Sequence, residues 1–311
     1  MINGILNVCK EPGYTSHDVV AKLRGILHQK KIGHTGTLDP DAEGVLPVCL
    51  GKATKLCDLL TDETKTYEAL LHLGIATDTQ DMSGTVLEQA PIYASEQEVR
   101  DCILGFRGEQ LQIPPMYSAL KVNGKKLYEF AREGIEIERK ARKVCFYEIR
   151  ILECALPLVR MEVTCSKGTY IRTLCNDIGE KLGCHGCMEH LVRTRVGRFT
   201  LEKACTLEQI REFVTDGRLD EILVPADGMF EKLDAYAVSD EMERMAVNGN
   251  AIMPSALHAL GTIENVSVWQ KAGNEETRFR LYLPSGAFVG IYEYDKGRDL
   301  CVPVKMFLER T

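Results

Sequence analysis

The stretch from Lys30 to Leu46 reads KKIGHTGTLDPDAEGVL, and its composition directs how the rest of the chain is interpreted. Its glycines, threonines, histidine and Asp-Pro pair predict an irregular loop between a helix and a strand, a setting in which functional side chains are often held. It is not a Walker phosphate loop, because the Gly-Lys-Ser/Thr ending is absent. Asp39 precedes Pro40 and is therefore extended rather than helical. Its carboxylate is either a fixed nucleophile or base, or merely the cap of a turn.

The chain around this loop alternates between strand-like and helix-like patterns, which predicts an α+β fold. Alternating apolar and polar residues predict strands, and apolar residues at helical spacing behind a capping residue predict helices. The predicted strands are 5–8, 144–152 and 159–165, with a hairpin of 278–283 and 287–292; the predicted helices are 16–28, one beginning at 95, 169–182 and 206–214.

The composition changes after residue 197, and a Pro-Ala-Asp-Gly turn follows at 225–228. Such a turn between two differently patterned regions predicts a domain boundary near residue 230. The chain has 311 residues, which suits two domains of roughly 100 to 200 residues each. We therefore predict domains over 1–230 and 231–311, the second a small β-rich module.

The net charge of −7, taken over the whole chain, argues against a partner rich in phosphate. Residues 199–247 hold five basic and twelve acidic side chains, a difference equal to the net charge of the whole chain. Residues 121–143, in contrast, hold eight basic and four acidic side chains, together with Tyr128 and Phe130. Cations interleaved with aromatics suit phosphate contact and base stacking, although a solvated surface helix has the same pattern. A second basic group brackets the helix predicted at 169 and comprises Lys167, Arg172, Arg193, Arg195 and Arg198.

Several protein classes are disfavoured by composition. No apolar run reaches the roughly 18 residues of a membrane helix, and no signal peptide is recognisable, so we expect a soluble protein of the cytoplasm with no membrane partner. The twelve cysteines are scattered, which is typical of reduced thiols. Cys184-His185-Gly186-Cys187 could contribute to a structural zinc site, but a second ligand pair is missing, and incidental thiols are the alternative. No metal is predicted.

The segment 33–40, GHTGTLDP, followed by GVLP at 44–47, resembles the catalytic motif of the TruB family, the bacterial tRNA pseudouridine-55 synthases. Other segments resemble family motifs in the family order: 10–16 (KEPGYTS), 65–67 (KTY), 73–79 (LGIATDT), 114–121 (PPMYSALK), 168–174 (GTYIRTL) and 191–194 (LVRT). The resemblance covers about residues 2–215, and residues 290–294 and 303–307 resemble more loosely the PUA-like module of bacterial members.

This resemblance implies a catalytic domain with a mixed β-sheet and flanking helices, followed by a PUA-like domain. It implies that Asp39 attacks the target uridine, position 55 in the T loop of tRNA, so that the uracil detaches, turns and rejoins the ribose through carbon. Whether attack falls on the ribose or on the base stays open. The rearrangement needs no cofactor. The resemblance implies five residues that bind the substrate. His34 takes part in extruding the nucleotide, Tyr67 stacks on the flipped uracil, and Tyr170 and Leu191 line the same pocket. Arg172 pairs with Asp39 and keeps it ionised.

The basic residues 121–143 resemble the flexible insertion that clamps tRNA in stand-alone family members. The guide-RNA-dependent, dyskerin-like relatives lack it, so we expect a monomer that recognises the T stem-loop of tRNA without a guide RNA. Its predicted contacts to the RNA backbone come from Lys121, Lys125, Lys126 and Arg193.

Two further hypotheses belong to other functional classes. One is a tRNA-binding or tRNA-folding protein without catalysis, and the other is a zinc-stabilised RNA-interaction module built around Cys184 and Cys187. The complete set of residues that match the family's catalytic set counts against the first.

Overall fold

A computed structural model describes residues 1–261 and 277–308. Strands and helices alternate along this part of the chain. In chain order the strands are β1 (Gly4–Lys10), β2 (Ile32–His34), β3 (Glu43–Leu50), β4 (Lys65–Leu73), β5 (Ile75–Thr77), β6 (Val86–Gln89), β7 (Gly108–Gln112), β8 (Lys121–Val122), β9 (Lys125–Lys126), β10 (Arg142–Ala155), β11 (Leu158–Cys165), β12 (Gly186–Val196), β13 (Phe199–Thr200), β14 (Leu223–Val224), β15 (Ala235–Val238), β16 (Leu257–Ala259), β17 (Arg278–Tyr282), β18 (Phe288–Asp295) and β19 (Leu300–Met306).

The α-helices of the described residues lie mostly between the strands of the first 230 residues. They are α1 (Ser16–Ile26), α2 (Cys57–Asp62), α3 (Glu96–Leu104), α4 (Leu127–Arg132), α5 (Ile171–Leu182), α6 (Leu207–Thr215) and α7 (Glu243–Val247). No helix in this part of the chain is both long and apolar enough to cross a bilayer.

The larger sheet has the strand order β14-β1-β3-β12-β4-β11-β10-β7, with β2 added to β3 and β13 added to β12. Its neighbours are antiparallel except for β12 and β3, which run parallel. The sheet is therefore mixed, as predicted. Because β3 pairs with β12, the loop before β3 is brought beside residues that lie about 150 positions later in the chain.

Local capping chemistry explains where several helices begin and end. The side chains of Thr15, Ser95 and Thr206 accept hydrogen bonds from the third backbone N–H of α1, α3 and α6, each in a capping box. Gly183 ends α5 with a left-handed φ of 71°, a conformation that costs glycine little. These helices start or stop within about two residues of the predicted positions.

One helix begins later than predicted. Helix α5 starts at Ile171 rather than at 169, because the side-chain amide of Gln112 holds the backbone of Tyr170 in an extended conformation. The Gln112 Oε1 atom accepts from the Tyr170 N–H at 2.8 Å, and Gln112 Nε2 donates to the Tyr170 carbonyl at 3.0 Å. A contact from a strand 58 residues away thus sets this boundary.

Strands β1 and β3 are covered on both faces, since side chains alternate along a strand. One face carries Leu6 and Leu46 and packs with α1 and α6, while the other carries Ile5 and Val45 and packs with Phe307 from the C-terminal residues. The C-terminal residues are therefore part of the support of the larger sheet.

The second sheet contains the C-terminal strands in the order β16-β15-β17-β18-β19, which confirms the β-rich C-terminal domain. Strands β17 and β18 form the predicted hairpin, with Leu281 opposite Gly290. Its core contains Tyr236, Phe279 and Tyr292. In chain order, β14 is the last strand of the larger sheet and β15 is the first strand of the second sheet. The exact domain limits of 1–230 and 231–311 stay a prediction.

Candidate active site

The loop between β2 and β3 carries Asp39 and is anchored on both sides of it. The Ser16 hydroxyl accepts a hydrogen bond from the Leu38 N–H at 2.9 Å, and Leu38 is buried. On the other side, the Ala42 N–H donates to the Asp39 carbonyl at 3.2 Å, which closes a turn through Pro40. The backbone of Asp39 is thus held at a fixed position at the end of a buried strand.

Lys10 also holds the backbone of the Asp39 loop in place. Its Nζ atom donates to the carbonyls of Pro40 at 2.9 Å, Ala42 at 2.5 Å and Glu11 at 3.1 Å, and the residue has no exposed surface. Burial lowers the pKa of Lys10 to about 8, against the opposing effect of Asp39. Lys10 lies in a quoted family motif, but the sequence analysis assigned it no role. Its buried ammonium is a structural cation of the Asp39 loop.

Arg172, in the first turn of α5, holds Asp39 through its guanidinium. The Nη2 atom lies 2.9 Å from Asp39 Oδ1 and 2.8 Å from the Tyr117 carbonyl, and Nη1 lies 3.3 Å from both Asp81 Oδ2 and the Thr79 carbonyl. One buried cation therefore binds two carboxylates and two carbonyls. This geometry contains the Arg172–Asp39 contact that the family resemblance implies.

The exposure of the three charged side chains differs in a way that matters for chemistry. The side chain of Arg172 is 6% exposed and that of Asp81 14%, whereas that of Asp39 is 38% exposed. Asp39 is thus the member of the group that a bound molecule can reach. Partial removal from water raises the pKa of Asp39, and the positive charge of Arg172 opposes that rise. Desolvation therefore opposes the ionised form of Asp39, which Arg172 is expected to favour.

Asp81 is a site residue that the sequence analysis missed. It lies in the turn between β5 and β6, two residues beyond the quoted motif 73–79, and its Oδ1 atom accepts from the Thr79 hydroxyl at 2.7 Å. A second aspartate so close to a recognised motif was the available signal. Its role became visible only when the fold placed it against Arg172, 91 positions away.

Two tyrosines lie near the exposed carboxylate. Burial raises the pKa of Tyr67 on β4 and of Tyr170 at the start of α5, and the charge of Asp39 adds to both shifts. Leu191 on β12 is buried in the same core cluster as Tyr67 and Leu38. The structure therefore places Tyr67 and Tyr170 near Asp39, and Leu191 in the core cluster that includes Tyr67.

His34 is the last residue of β2 and lies at the start of the Asp39 loop. Its ring meets that of His17 edge to face with 5.2 Å between centroids, and its Nδ1 atom accepts from the Gly36 N–H at 3.4 Å. Burial lowers the pKa of His34 to about 4, and the charges of His17 and Arg193 add to the effect. The imidazole is therefore neutral at pH 7.

Arg193 does not meet the expectation of an RNA-backbone contact. It is 2% exposed, with Nε donating to the Val45 carbonyl at 2.7 Å and Nη2 to the Gly36 carbonyl at 3.2 Å. A guanidinium enclosed in this way cannot reach a phosphate, so this prediction is wrong. Instead, the Arg193 side chain extends from β12 and, through these hydrogen bonds, links the two ends of the Asp39 loop. Gly44 permits this close approach, because a Cβ atom there would lie 2.3 Å from the Arg193 carbonyl oxygen.

The basic segment 121–143 starts as the β8–β9 hairpin followed by α4. Lys121 is exposed. Lys125 lies 2.5 Å from a carboxylate oxygen of Glu133, and Lys126 Nζ lies 3.3 Å from the Tyr128 hydroxyl. These partners are themselves partly exposed, so the ammonium groups remain close to the surface.

The Cys184–Cys187 region forms a buried turn at the start of β12. Both cysteines are buried, and the His185 ring is directed to Glu180 at 2.8 Å and Glu88 at 3.1 Å. Across residues 1–261 and 277–308, no group of three or more His, Cys, Asp and Glu side chains is arranged to hold a metal ion.

Comparisons with known proteins identify the family of the chain. The model of the TruB family pseudouridylate synthase N-terminal domain matches residues 24–171, and the model of the tRNA pseudouridylate synthase B C-terminal domain matches residues 172–231. The chain is 52% identical to tRNA pseudouridine synthase B of Lachnoclostridium phytofermentans, over 99% of this chain and 100% of that protein. It is 42% identical to tRNA pseudouridine synthase B of Bacillus pumilus, over 98% of both chains.

A solved structure of an H/ACA RNP bound to a substrate RNA containing 2′-deoxyuridine contains a similar chain. The TM-score is 0.69 at 26% sequence identity, over 99% of this chain and 86% of that chain.

Proposed function

Because the chain belongs to the TruB family of pseudouridylate synthases and is a tRNA pseudouridine synthase, we propose that it isomerises the uridine at position 55 of the T loop, with Asp39 as the nucleophile. The observation that carries this assignment is the group formed by Arg172 with Asp39 and Asp81. Of the two carboxylates on that guanidinium, Asp39 is the more exposed one. It is also the carboxylate in the loop whose backbone Lys10 binds.

Isomerisation to pseudouridine leaves the atomic composition of the nucleoside unchanged. The N-glycosidic bond breaks, the uracil turns, and a bond from C5 to the ribose replaces it, while C5 loses its hydrogen to solvent as a proton and N1 takes up a proton. A carboxylate fixed by Arg172 and by its own backbone is suited to stay bound to one half of the nucleoside while the other half turns. No electron is gained or lost, so the proposed reaction requires no redox cofactor.

The nucleotide must leave the stacked T loop before Asp39 can reach it. Enzymes that act on a base extrude it into a pocket and hold it by stacking. Tyr67 and Tyr170 offer aromatic faces beside Asp39, and Leu191 adds an apolar wall. His34 is neutral and lies where the Asp39 loop begins, and we propose that it takes part in extruding the nucleotide.

The surface proposed to bind the RNA backbone is the segment 121–143. Lys121, Lys125 and Lys126 lie together in the β8–β9 hairpin, and Tyr128 follows on α4 under the ammonium of Lys126. Cations of this kind supply salt-dependent affinity for phosphates. We propose a monomer of the cytoplasm that binds the T stem-loop directly, without a guide RNA.

The decisive experiment compares Asp39→Asn with Asp41→Asn, a matched change at an exposed position two residues away in the same loop. The two proteins are incubated with unmodified tRNA labelled with tritium at C5 of uridine, without any other RNA, and tritium release is followed. We expect Asp39→Asn to bind tRNA normally but release no tritium, because an amide is a poor nucleophile, and Asp41→Asn to remain active.

Substantial turnover by Asp39→Asn would reject its assignment as the nucleophile. Tritium release that depends on added RNA from cell extract would reject independence from a guide RNA. If the unsubstituted protein binds tRNA and releases no tritium, the alternative of a tRNA-binding protein without catalysis is correct. Mapping pseudouridine along the product tests position 55.

A further inference from the structure

All twelve cysteines are free thiols, and in five pairs the charge of one thiol acts on the other. The pairs are Cys9 with Cys205, Cys49 with Cys57, Cys102 with Cys184, Cys145 with Cys165, and Cys175 with Cys187. The Cys49–Cys57 pair is distinct in that both residues pack in one apolar cluster and lie beside the same glycine, Gly33.

The position of this pair follows from the pairing of β2 with β3. Cys49 on β3 lies opposite Gly33 on β2 and has no exposed surface. Cys57 is the first residue of α2, and its Sγ atom lies 3.2 Å from the position that a Cβ of Gly33 would occupy. The two sulfurs thus meet on one face of the β2–β3 pair because residue 33 has no side chain.

The two thiols differ in accessibility and in ionisation. Cys57 is half-buried, whereas Cys49 is enclosed. Interaction with the Cys49 thiol lowers the pKa of the Cys57 thiol; burial and Asp58 oppose this shift, and Lys305 on β19 adds to it. Interaction with Cys57, together with burial, raises the pKa of Cys49. Because the thiolate is the reactive form, Cys57 is suited to attack and Cys49 to resolve.

We propose that Cys49 and Cys57 form a site for reversible oxidation by small hydroperoxides. The Cys57 thiolate attacks the terminal peroxide oxygen, the O–O bond breaks, and the leaving oxide takes up a proton to become an alcohol or water. The Cys57 sulfenic acid then reacts with Cys49: an S–S bond forms, the S–O bond breaks, and the hydroxide leaves as water with the Cys49 proton. The two thiols lose two electrons, the hydroperoxide gains them, and a thiol reductant reverses the change.

The disulfide would act on the Asp39 loop through two contacts. A disulfide brings the sulfurs to about 2.05 Å, closer than two thiols that are not bonded, and so draws the start of α2 toward β3. The Cys57 sulfur lies over Gly33, where a side chain would stand, and Gly33 immediately precedes His34. On the same helix, the Thr61 hydroxyl lies 3.2 Å from the Thr35 carbonyl. Oxidation therefore shifts the support of the loop, and the expected loss of activity rests on the function proposed above.

The test treats the full chain with a small excess of hydrogen peroxide, blocks the remaining thiols by alkylation, and maps linked peptides by mass spectrometry. We expect a Cys49–Cys57 disulfide and a fall in tritium release of about ten- to a hundredfold, the size of effect that an ångström-scale misplacement produces. Dithiothreitol should restore both. Cys57→Ser and Cys57→Ala should form no such link and keep their activity in peroxide, whereas the control Cys9→Ser should behave as the unsubstituted protein.

Recovery of both residues as alkylated thiols after peroxide treatment would overturn the proposal. A disulfide without loss of activity, or an equal loss in Cys57→Ser, would overturn its action on the loop. The peptide map does not depend on catalysis, so a protein that forms the disulfide but is inactive before treatment would count against the proposed function and leave the oxidation site standing.

Discussion

Replacing Arg172 with methionine tests whether one guanidinium controls both the ionisation of Asp39 and the stability of the site. Methionine retains an unbranched apolar stem of similar reach, but it carries no charge and no donor. In Arg172→Met the carboxylates of Asp39 and Asp81 therefore lose their shared cation, and Lys10 remains the cation that acts on Asp39.

The size of the effect follows from the contacts. An opposite charge at the 2.9 Å seen between Arg172 and Asp39 typically lowers a carboxyl pKa by about 1 to 3 units. Its loss should therefore raise the pKa of Asp39 further, and repulsion from Asp81 acts in the same direction. If the ionised carboxylate is the active form, the acid limb of the rate profile moves to higher pH, and the rate below that limb falls about tenfold per unit.

Stability should fall as well. Breaking a buried ion pair costs about 3 to 5 kcal/mol, and Arg172 and Asp81 are 6% and 14% exposed. The side chain of Asp39 is 38% exposed, so water screens its share. We therefore expect the free energy of unfolding to fall by about 3 kcal/mol, the lower end of that range.

The assay is single-turnover tritium release as a function of pH, together with urea unfolding followed by circular dichroism. Arg195→Met is the matched control, because Arg195 is an exposed arginine on β12, and it should change neither the acid limb nor the stability. If the acid limb of folded Arg172→Met coincides with that of the unsubstituted protein, the electrostatic reasoning is refuted.

Three other perturbations have defined outcomes. The pKa of Lys10 is lowered to about 8, so the ammonium that binds the Asp39 loop loses its proton as the pH rises through that value. Single-turnover rates of tritium release should therefore fall near that pH. The Lys10→Met variant has no ammonium and should be slow at every pH. A Cβ at Gly44 would lie 2.3 Å from a backbone oxygen at a φ of 105°, so urea titration of Gly44→Ala should show a loss of at least about 2 kcal/mol. The control Gly25→Ala lies in α1 with open space and no positive φ, and it should show no loss. In filter-binding assays, Lys125→Ala combined with Lys126→Ala should flatten the dependence of log affinity for tRNA on log salt by roughly one to two units, and an unchanged slope would favour a solvated surface without RNA contact.

The parts of the fold that depend on neighbouring residues were predictable from the sequence. Helices α1 and α3 begin after Thr15 and Ser95, because the hydroxyl of each residue and the acidic side chain three residues later satisfy the first backbone donors. Helix α5 ends at Gly183, because glycine readily adopts a left-handed φ. The strands of the C-terminal hairpin followed from alternation and a turn. Each of these signals is complete within a few residues.

The parts of the site that depend on distant residues were not predictable from local chemistry. Asp39 meets Arg172 across 133 positions, and its pairing was expected only through the family resemblance. Lys10 lies in a family-like segment and Asp81 lies beside one, but local chemistry gave neither a role, since their partners are mostly a guanidinium and carbonyls supplied by other segments. Arg193 was predicted to contact RNA because it belongs to a basic group in the sequence. In the structure its guanidinium is buried and donates to the backbone carbonyls of Gly36 and Val45 instead.

The packing of Phe307 against the reverse face of β1 and β3 has a consequence for biosynthesis. Phe307 shares one apolar cluster with Ile5 and Val45, in which residues of the first 230 positions cover most of the rest of this face. A chain that stops shortly before Phe307 contains every residue of the proposed catalytic group but leaves part of this apolar face exposed to water. Such a truncated chain is expected to be less stable and to be retained by chaperones.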